Sequence, residues 1–295
     1  MSAQRGILAY ALPYVLIASL QYQFAKDGLR YADPFVYMCL RYLIASALCF
    51  ALARSFKPVL NRQTLFLGVS TFLSTSFWAV GLQSVSAGES AVLSYTMPLF
   101  AIPLAAVILK EGTTRLGAFG ALIGFGGVAT YSLGLSYVGG STVGIVFSVT
   151  NAFFWGLYTV YYRKLRNQSP TLTVGSQFLI GGVLFLPFFP FTFHLDPSSV
   201  FFLDLGYVSV LGGTVLFLLW NAMARLESIG RITTIAFAVP AMAVAIQALL
   251  TGEVPTPVEV LGVVLMFGGI YISRILPGGS RVETEPSRAA PSEGS

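Results

Sequence analysis

The sequence predicts an all-α integral membrane protein: ten transmembrane helices in two inverted five-helix repeats around a central cavity. Three observations carry that prediction. Apolar residues make up 55% of the chain and charged residues only 10%, against about 25% charged in soluble domains. Ten apolar runs approach the ~20 residues a helix needs to cross a bilayer. Finally, Pro98, Glu111, Gly120 and Gly127 return at one constant offset as Pro240, Glu253, Gly262 and Gly269.

The ten runs, numbered here as spans one to ten, cover 6–24, 34–53, 64–84, 90–109, 116–136, 142–162, 171–191, 200–224, 232–251 and 258–275. Short connections join them. The organisation read from this is a first five-helix repeat over 1–138 and a second, inverted one over 139–278. A disordered cytoplasmic tail follows over 279–295, rich in Ser, Pro and Glu with no apolar period. Span one follows Arg5 as a secretory signal would. Its apolar run is long, however, no A-x-A site follows promptly, and it has a partner later in the chain, so it reads as a retained helix. Cys39 and Cys49 share one apolar run and read as buried bystander thiols.

Lys and Arg set the orientation. With the N-terminus in the cytoplasm, the external loops hold Lys26 and Arg30, and Arg41 lies within span two. All the others of the 17 fall in cytoplasmic segments. Both termini are therefore expected in the cytoplasm, with the chain in the cytoplasmic membrane. Five spans per half is an odd number, so the second half enters from the opposite side and the repeats are inverted. The constant offset also pairs Trp78 with Trp220, Gly88 with Gly230 and Gly126 with Gly268, and more loosely Tyr95 with Phe237. At a shorter offset, Pro34 matches Pro170 and Arg41-Tyr-Leu-Ile matches Gln177-Phe-Leu-Ile. The change of offset falls near 193–199, where a longer loop is required. Two similar bundles facing each other across a membrane usually enclose a site at their interface.

A proline in the fourth span, a glutamate closing it and glycines down the fifth, all repeated, resemble the drug/metabolite transporter superfamily in its ten-helix EamA-like branch. That branch includes YddG-type exporters of aromatic amino acids. The resemblance implies a basket of two inverted repeats, with spans one to four and six to nine lining or supporting the cavity and five and ten peripheral. It also implies that the repeated residues maintain the fold rather than name a substrate. Pro98 and Pro240 free a carbonyl and bend their helices, for gating or for shape. Glu111 and Glu253 sit at span ends, where a cap or an ion pair with arginine is the expected role. Gly117, Gly120, Gly124 and Gly127 give a smooth face for close helix packing.

The absences exclude several classes. His194 is the single histidine, so a histidine metal cluster or a Ser–His hydrolase is not available. No phosphate-binding loop with its lysine is present. No lysine lies within a span, which disfavours a retinal Schiff base. The positive charges form no stripe for nucleic acid. No cofactor, metal or enzymatic activity is expected. No Asp or Glu occupies the middle of a span; Glu89 and Asp204 lie near ends. The small multidrug relatives of the superfamily carry a glutamate in their first helix, where this chain has Gln21, Tyr22 and Gln23. Exchange of cationic drugs for protons is thereby disfavoured.

What remains is a set of candidate lining residues. Arg41 is the one charge inside a span, about 10 Å along the helix from Pro34 at 1.5 Å per residue. It reads either as an anchor for a substrate carboxylate or as a snorkelling side chain bonded to carbonyls. Asn151, Trp155, Tyr158 and Tyr162 share one helical face of span six. The matching face of span one runs through Tyr14, Ala18 and Gln21 or Tyr22. Trp78 and Trp220, with Asn221, and Tyr95, with Ser94, complete the candidates. No cluster of Lys and Arg suits a sugar phosphate. The expected function is a secondary transporter of small metabolites, an amino-acid exporter working by alternating access. The alternatives are a carrier for another organic solute or drug, or a non-saturating channel. The expected partners are a small-molecule substrate and the bilayer, with the chain a monomer or weak homodimer.

Overall fold

In the computed structural model, the residues described are 2–110, 115–137, 140–162, 165, 168–226, 236 and 238–275. The tail, Glu111, Phe237, Gly230 and the expected start of span nine lie outside them. The described chain is helical, and its one bridge, Ala32 with Leu195, is isolated. Span one is Ser2–Gly28, two is Pro34–Leu52, three is Arg62–Ser84, five is Arg115–Tyr137 and six is Thr142–Tyr162. Nine and ten are Ala238–Thr251 and Pro257–Ile275. The other three are composite. Span four is Ala87–Ser94 followed by Met97–Ile108. Span seven is Pro170–Phe185 with a short 3₁₀ turn, Leu186–Phe188, and a last turn, Phe189–Thr192. Span eight is Ser199–Gly206 and Leu216–Leu226 joined by a π-helical stretch, Tyr207–Val215. Among the described residues, 7 helices (spans two to eight) are long and apolar enough to cross a membrane, and spans nine and ten supply shorter apolar helices.

Local chemistry explains the boundaries. Asp33 accepts from the Phe35 N–H and Pro34 opens span two. Asn61 with Thr64, Ser86 with Glu89, and Thr256 with Glu259 form reciprocal caps that start spans three, four and ten. Pro98 breaks span four: it has no N–H, and its ring crowds the Ser94 carbonyl four residues earlier. Lys110 and Gly252, at equivalent positions after spans four and nine, both take left-handed φ, 56° and 76°. Glycine does this freely, and lysine at a cost.

The packing is pairwise symmetric. Span three packs on six and seven, as eight packs on one and two; four packs on six, as nine packs on one; two meets seven, and five meets ten. Exchanging the first five spans for the last five maps this set onto itself, as two inverted repeats require. Spans five and ten cross with backbones in contact. A Cβ on Gly127 would strike Met266 and Gly262, and one on Gly269 would strike Gly120 and Gly124. Span five is 28% buried within its apolar window, against 50–56% for the other six, so five and ten lie at the periphery. Cys39 and Cys49 are free and buried.

Candidate functional site

The break in span four delivers the first polar groups to the interior. Ser94 ends one helix and Tyr95 sits in the gap before Met97, so both face a cavity of about 80 Å³ between the repeats. Its wall comes from spans one (Tyr14, Ala18, Gln21, Tyr22), two (Arg41), three (Ser74, Thr75, Trp78), four (Ser94, Tyr95, Met97), six (Asn151, Trp155) and eight (Leu216, Phe217). Gln21, Tyr22, Arg41, Trp78, Ser94, Tyr95, Asn151 and Trp155 are thus brought together, as the sequence pattern anticipates.

Tyr158, Trp220 and Asn221 do not line this cavity; they stand behind it. Tyr158 stacks on Trp155 at 5.1 Å and receives the Gln177 amide at 3.4 Å. Trp220 packs on Tyr14 at 5.4 Å, and Asn221 is fully buried. Tyr162 packs on Tyr158. Pro240 is buried inside span nine. Glu253 accepts from the Gln247 amide at 3.2 Å rather than from an arginine. Ser74, Thr75, Met97, Leu216 and Phe217 are wall residues the sequence reading did not single out. The signal for Ser74 and Thr75 was present, because they lie one helical turn before Trp78.

One wall is a polar chain. Ser74 Oγ donates to Asn151 Oδ1 at 2.7 Å, and Asn151 Nδ2 donates to Ser94 Oγ at 2.8 Å. The Tyr14 and Tyr95 hydroxyls meet at 3.1 Å and tie span one to span four. A buried amide demands such partners. Leu216 and Phe217 add an apolar part of the wall, Phe217 5.1 Å from the Trp155 ring.

Arg41 is only 3% exposed. Nε donates to the Val208 carbonyl at 3.2 Å and Nη2 to the Gly212 carbonyl at 3.3 Å. Both acceptors belong to the π-helical stretch of span eight. The guanidinium lies 5.4 Å from the Trp78 ring centre, a cation–π arrangement. Among the described residues, no Asp or Glu lines the cavity. Two polar atoms of its lining residues are buried without a hydrogen bond: the acceptor Gln21 Oε1 and the donor Trp78 Nε1. Gly212 closes against Gln21, and a Cβ there would run into the amide.

A second, larger cavity of about 630 Å³ lies at the end of the bundle bearing the Gly28–Pro34 turn. Lys26, Asp27, Arg30, Asp204, Gln247 and Glu253 are among its lining residues. Lys26 Nζ donates to the carbonyls of Leu82, Gln83 and Val85, at 2.7, 3.0 and 2.9 Å, and so caps span three.

This architecture has counterparts. A solved crystal structure superimposes with a TM-score of 0.70 at 18% identity, covering 92% of this chain and 97% of the other; at that identity it speaks for the fold alone. An Acidianus ambivalens protein called an uncharacterized transporter is 46% identical, over 81% of this chain and 93% of its own. A Salmonella typhimurium protein called a probable amino-acid metabolite efflux pump is 25% identical, over 92% of this chain and 95% of its own. The EamA-like transporter family matches twice, over residues 5–133 and 142–275. The chain belongs to the EamA-like transporter family: it is a membrane transporter and not an enzyme.

Proposed function

We propose that the protein is a secondary carrier of the cytoplasmic membrane, with both termini in the cytoplasm, that exports amino acids with apolar side chains by alternating access. The observation that carries this reading is the buried Arg41 guanidinium in a cavity wall that holds no carboxylate among the described residues. An uncompensated buried charge is costly, and a substrate carboxylate offsets that cost through charge-assisted hydrogen bonds. Trp78 Nε1 supplies a further donor to the same carboxylate, and Gln21 Oε1 supplies an acceptor for the α-ammonium. Leu216, Phe217, Met97 and Trp155 take the side chain. The name of the Salmonella relative supports the same substrate class. Pro98 and Pro240 would let the ends of their spans move as the repeats rock, and the division into repeats at about residue 138 belongs to this proposal.

The test is counterflow. Purified protein is reconstituted in vesicles loaded with unlabelled amino acids, and labelled phenylalanine is added outside. Accumulation above protein-free vesicles is expected. Absence of counterflow for every amino acid, with folded protein, would reject the substrate class. Flux that fails to saturate would point to a channel.

A further inference from the structure

Span eight contains a charge the substrate site does not use. We propose that Asp204 is a proton-binding group at the floor of the larger cavity, and that its occupancy is coupled to Arg41 through the π-helical stretch of span eight.

Four observations lead there. Asp204 lines the 630 Å³ cavity, yet is only 2% exposed. Its Oδ2 is buried and accepts no hydrogen bond. The two cations of the same cavity are engaged elsewhere: Lys26 gives all three ammonium donors to carbonyls, and Arg30 pairs with Asp27 at 3.2 Å. From span two, Tyr37 packs its ring on Phe201, 5.8 Å between centres, one turn before Asp204, and its hydroxyl is buried without a partner. The remaining titratable neighbours are Tyr207 on the same span, whose hydroxyl donates to the Ile17 carbonyl at 3.2 Å, and Glu253 across the cavity, which accepts from Gln247. An unpaired ionisable group within a membrane span, beside a cavity at its end of the bundle, is a common form of a proton site.

The coupling is built into the chain. Asp204 precedes Val208 by one helical turn and Gly212 by two, and those two carbonyls hold Arg41. Tyr37 likewise precedes Arg41 by one turn on span two. Spans two and eight therefore meet at two consecutive points, Tyr37 on Phe201 and Arg41 on the carbonyls of Val208 and Gly212. The step itself is simple: the carboxylate takes one proton from the cavity and becomes a neutral acid. A neutral acid costs less to keep out of water than an unpaired carboxylate, so protonation favours a deeper seat for this turn of span eight and shifts the carbonyls that fix the guanidinium.

The protonation can be read without any substrate. Infrared pH-difference spectra of the reconstituted full chain are expected to contain a protonated-carboxyl stretching band that Asp204→Asn removes. The same band in both proteins would overturn the proposal. Should the variant not fold, carbodiimide labelling of the wild type replaces it. Mass spectrometry is expected to place the adduct on Asp204 with a yield that falls as pH rises, and no adduct at any pH would overturn the assignment. The coupling rests on the carrier reading. An imposed pH gradient should drive labelled phenylalanine into wild-type vesicles, whereas Asp204→Asn should keep counterflow and lose gradient-driven accumulation. Gradient-driven accumulation that survives the variant would overturn the coupling. Loss of counterflow in the wild type, with the carboxyl band present, would sink only the amino-acid reading.

Discussion

Spans three and eight occupy equivalent places in the two repeats and meet the same cavity with opposite chemistry. Span three is a regular helix and offers Ser74 and Thr75; span eight offers Leu216 and Phe217 at the equivalent positions, just after a π-helical stretch. Spans two and seven differ in the same way. Arg41 reaches the cavity, whereas its counterpart Gln177 is spent on Tyr158 behind it. The residues that repeat (Pro98 and Pro240, Gly127 and Gly269, Trp78 and Trp220) shape the bundle. The residues that differ give the cavity a polar part and an apolar part. Symmetry supplies the container, and departures from it supply recognition.

Making the halves alike at one position after another tests this contrast. Arg41→Gln, which copies the second repeat, should have the largest effect. Losing a charge-assisted bond costs ~3 kcal/mol, about a 150-fold fall in kcat/KM for amino-acid counterflow, while detergent gel filtration still finds folded protein. Wild-type rates in the variant would remove Arg41 from the site. Next is Ser74→Leu, which copies Leu216 and strips Asn151 Oδ1 of its donor. An expected cost of ~2 kcal/mol should appear both as a lower thermal midpoint and as weaker transport. Third, Phe217→Thr copies Thr75. It should weaken phenylalanine by about tenfold relative to alanine, at ~1.4 kcal/mol, as read from competition for counterflow. An unchanged ratio would place the substrate side chain elsewhere. The smallest effect is expected of Lys110→Gly, which copies Gly252. Relieving the left-handed strain should add ~1 kcal/mol and raise the thermal midpoint by a few degrees without altering transport.

Much of the fold was legible because a bilayer admits few solutions, so apolar length gives the spans; the caps at Asn61 and Ser86 move the starts of spans three and four earlier than apolar length alone places them. Asn151 and Trp155 were legible from helical spacing, and the Ser94–Tyr95 gap follows from Pro98. Two kinds of information were not there to read. Spacing gives a face but not a depth, so Tyr158, on the correct face, lies one turn too deep to touch the cavity. A period of 3.6 residues also presumes an α-helix. Span eight breaks that presumption between Tyr207 and Val215, and the two carbonyls that hold Arg41 come from this stretch. The sequence likewise offered two roles for Arg41 as alternatives. The structure combines carbonyl bonding with a place in the wall, because those carbonyls hold only Nε and Nη2.

The π-helical stretch has one more consequence. Such a stretch is an α-helix carrying one surplus residue. Its wider turns absorb that residue, so deleting one residue between Tyr207 and Val215 would close the stretch into ordinary α-helix and leave Leu216 and Phe217 close to where they now point. The carbonyls of Val208 and Gly212 would be re-aimed instead, and with them the acceptors of Arg41. A one-codon deletion would thus loosen the arginine while sparing the apolar wall.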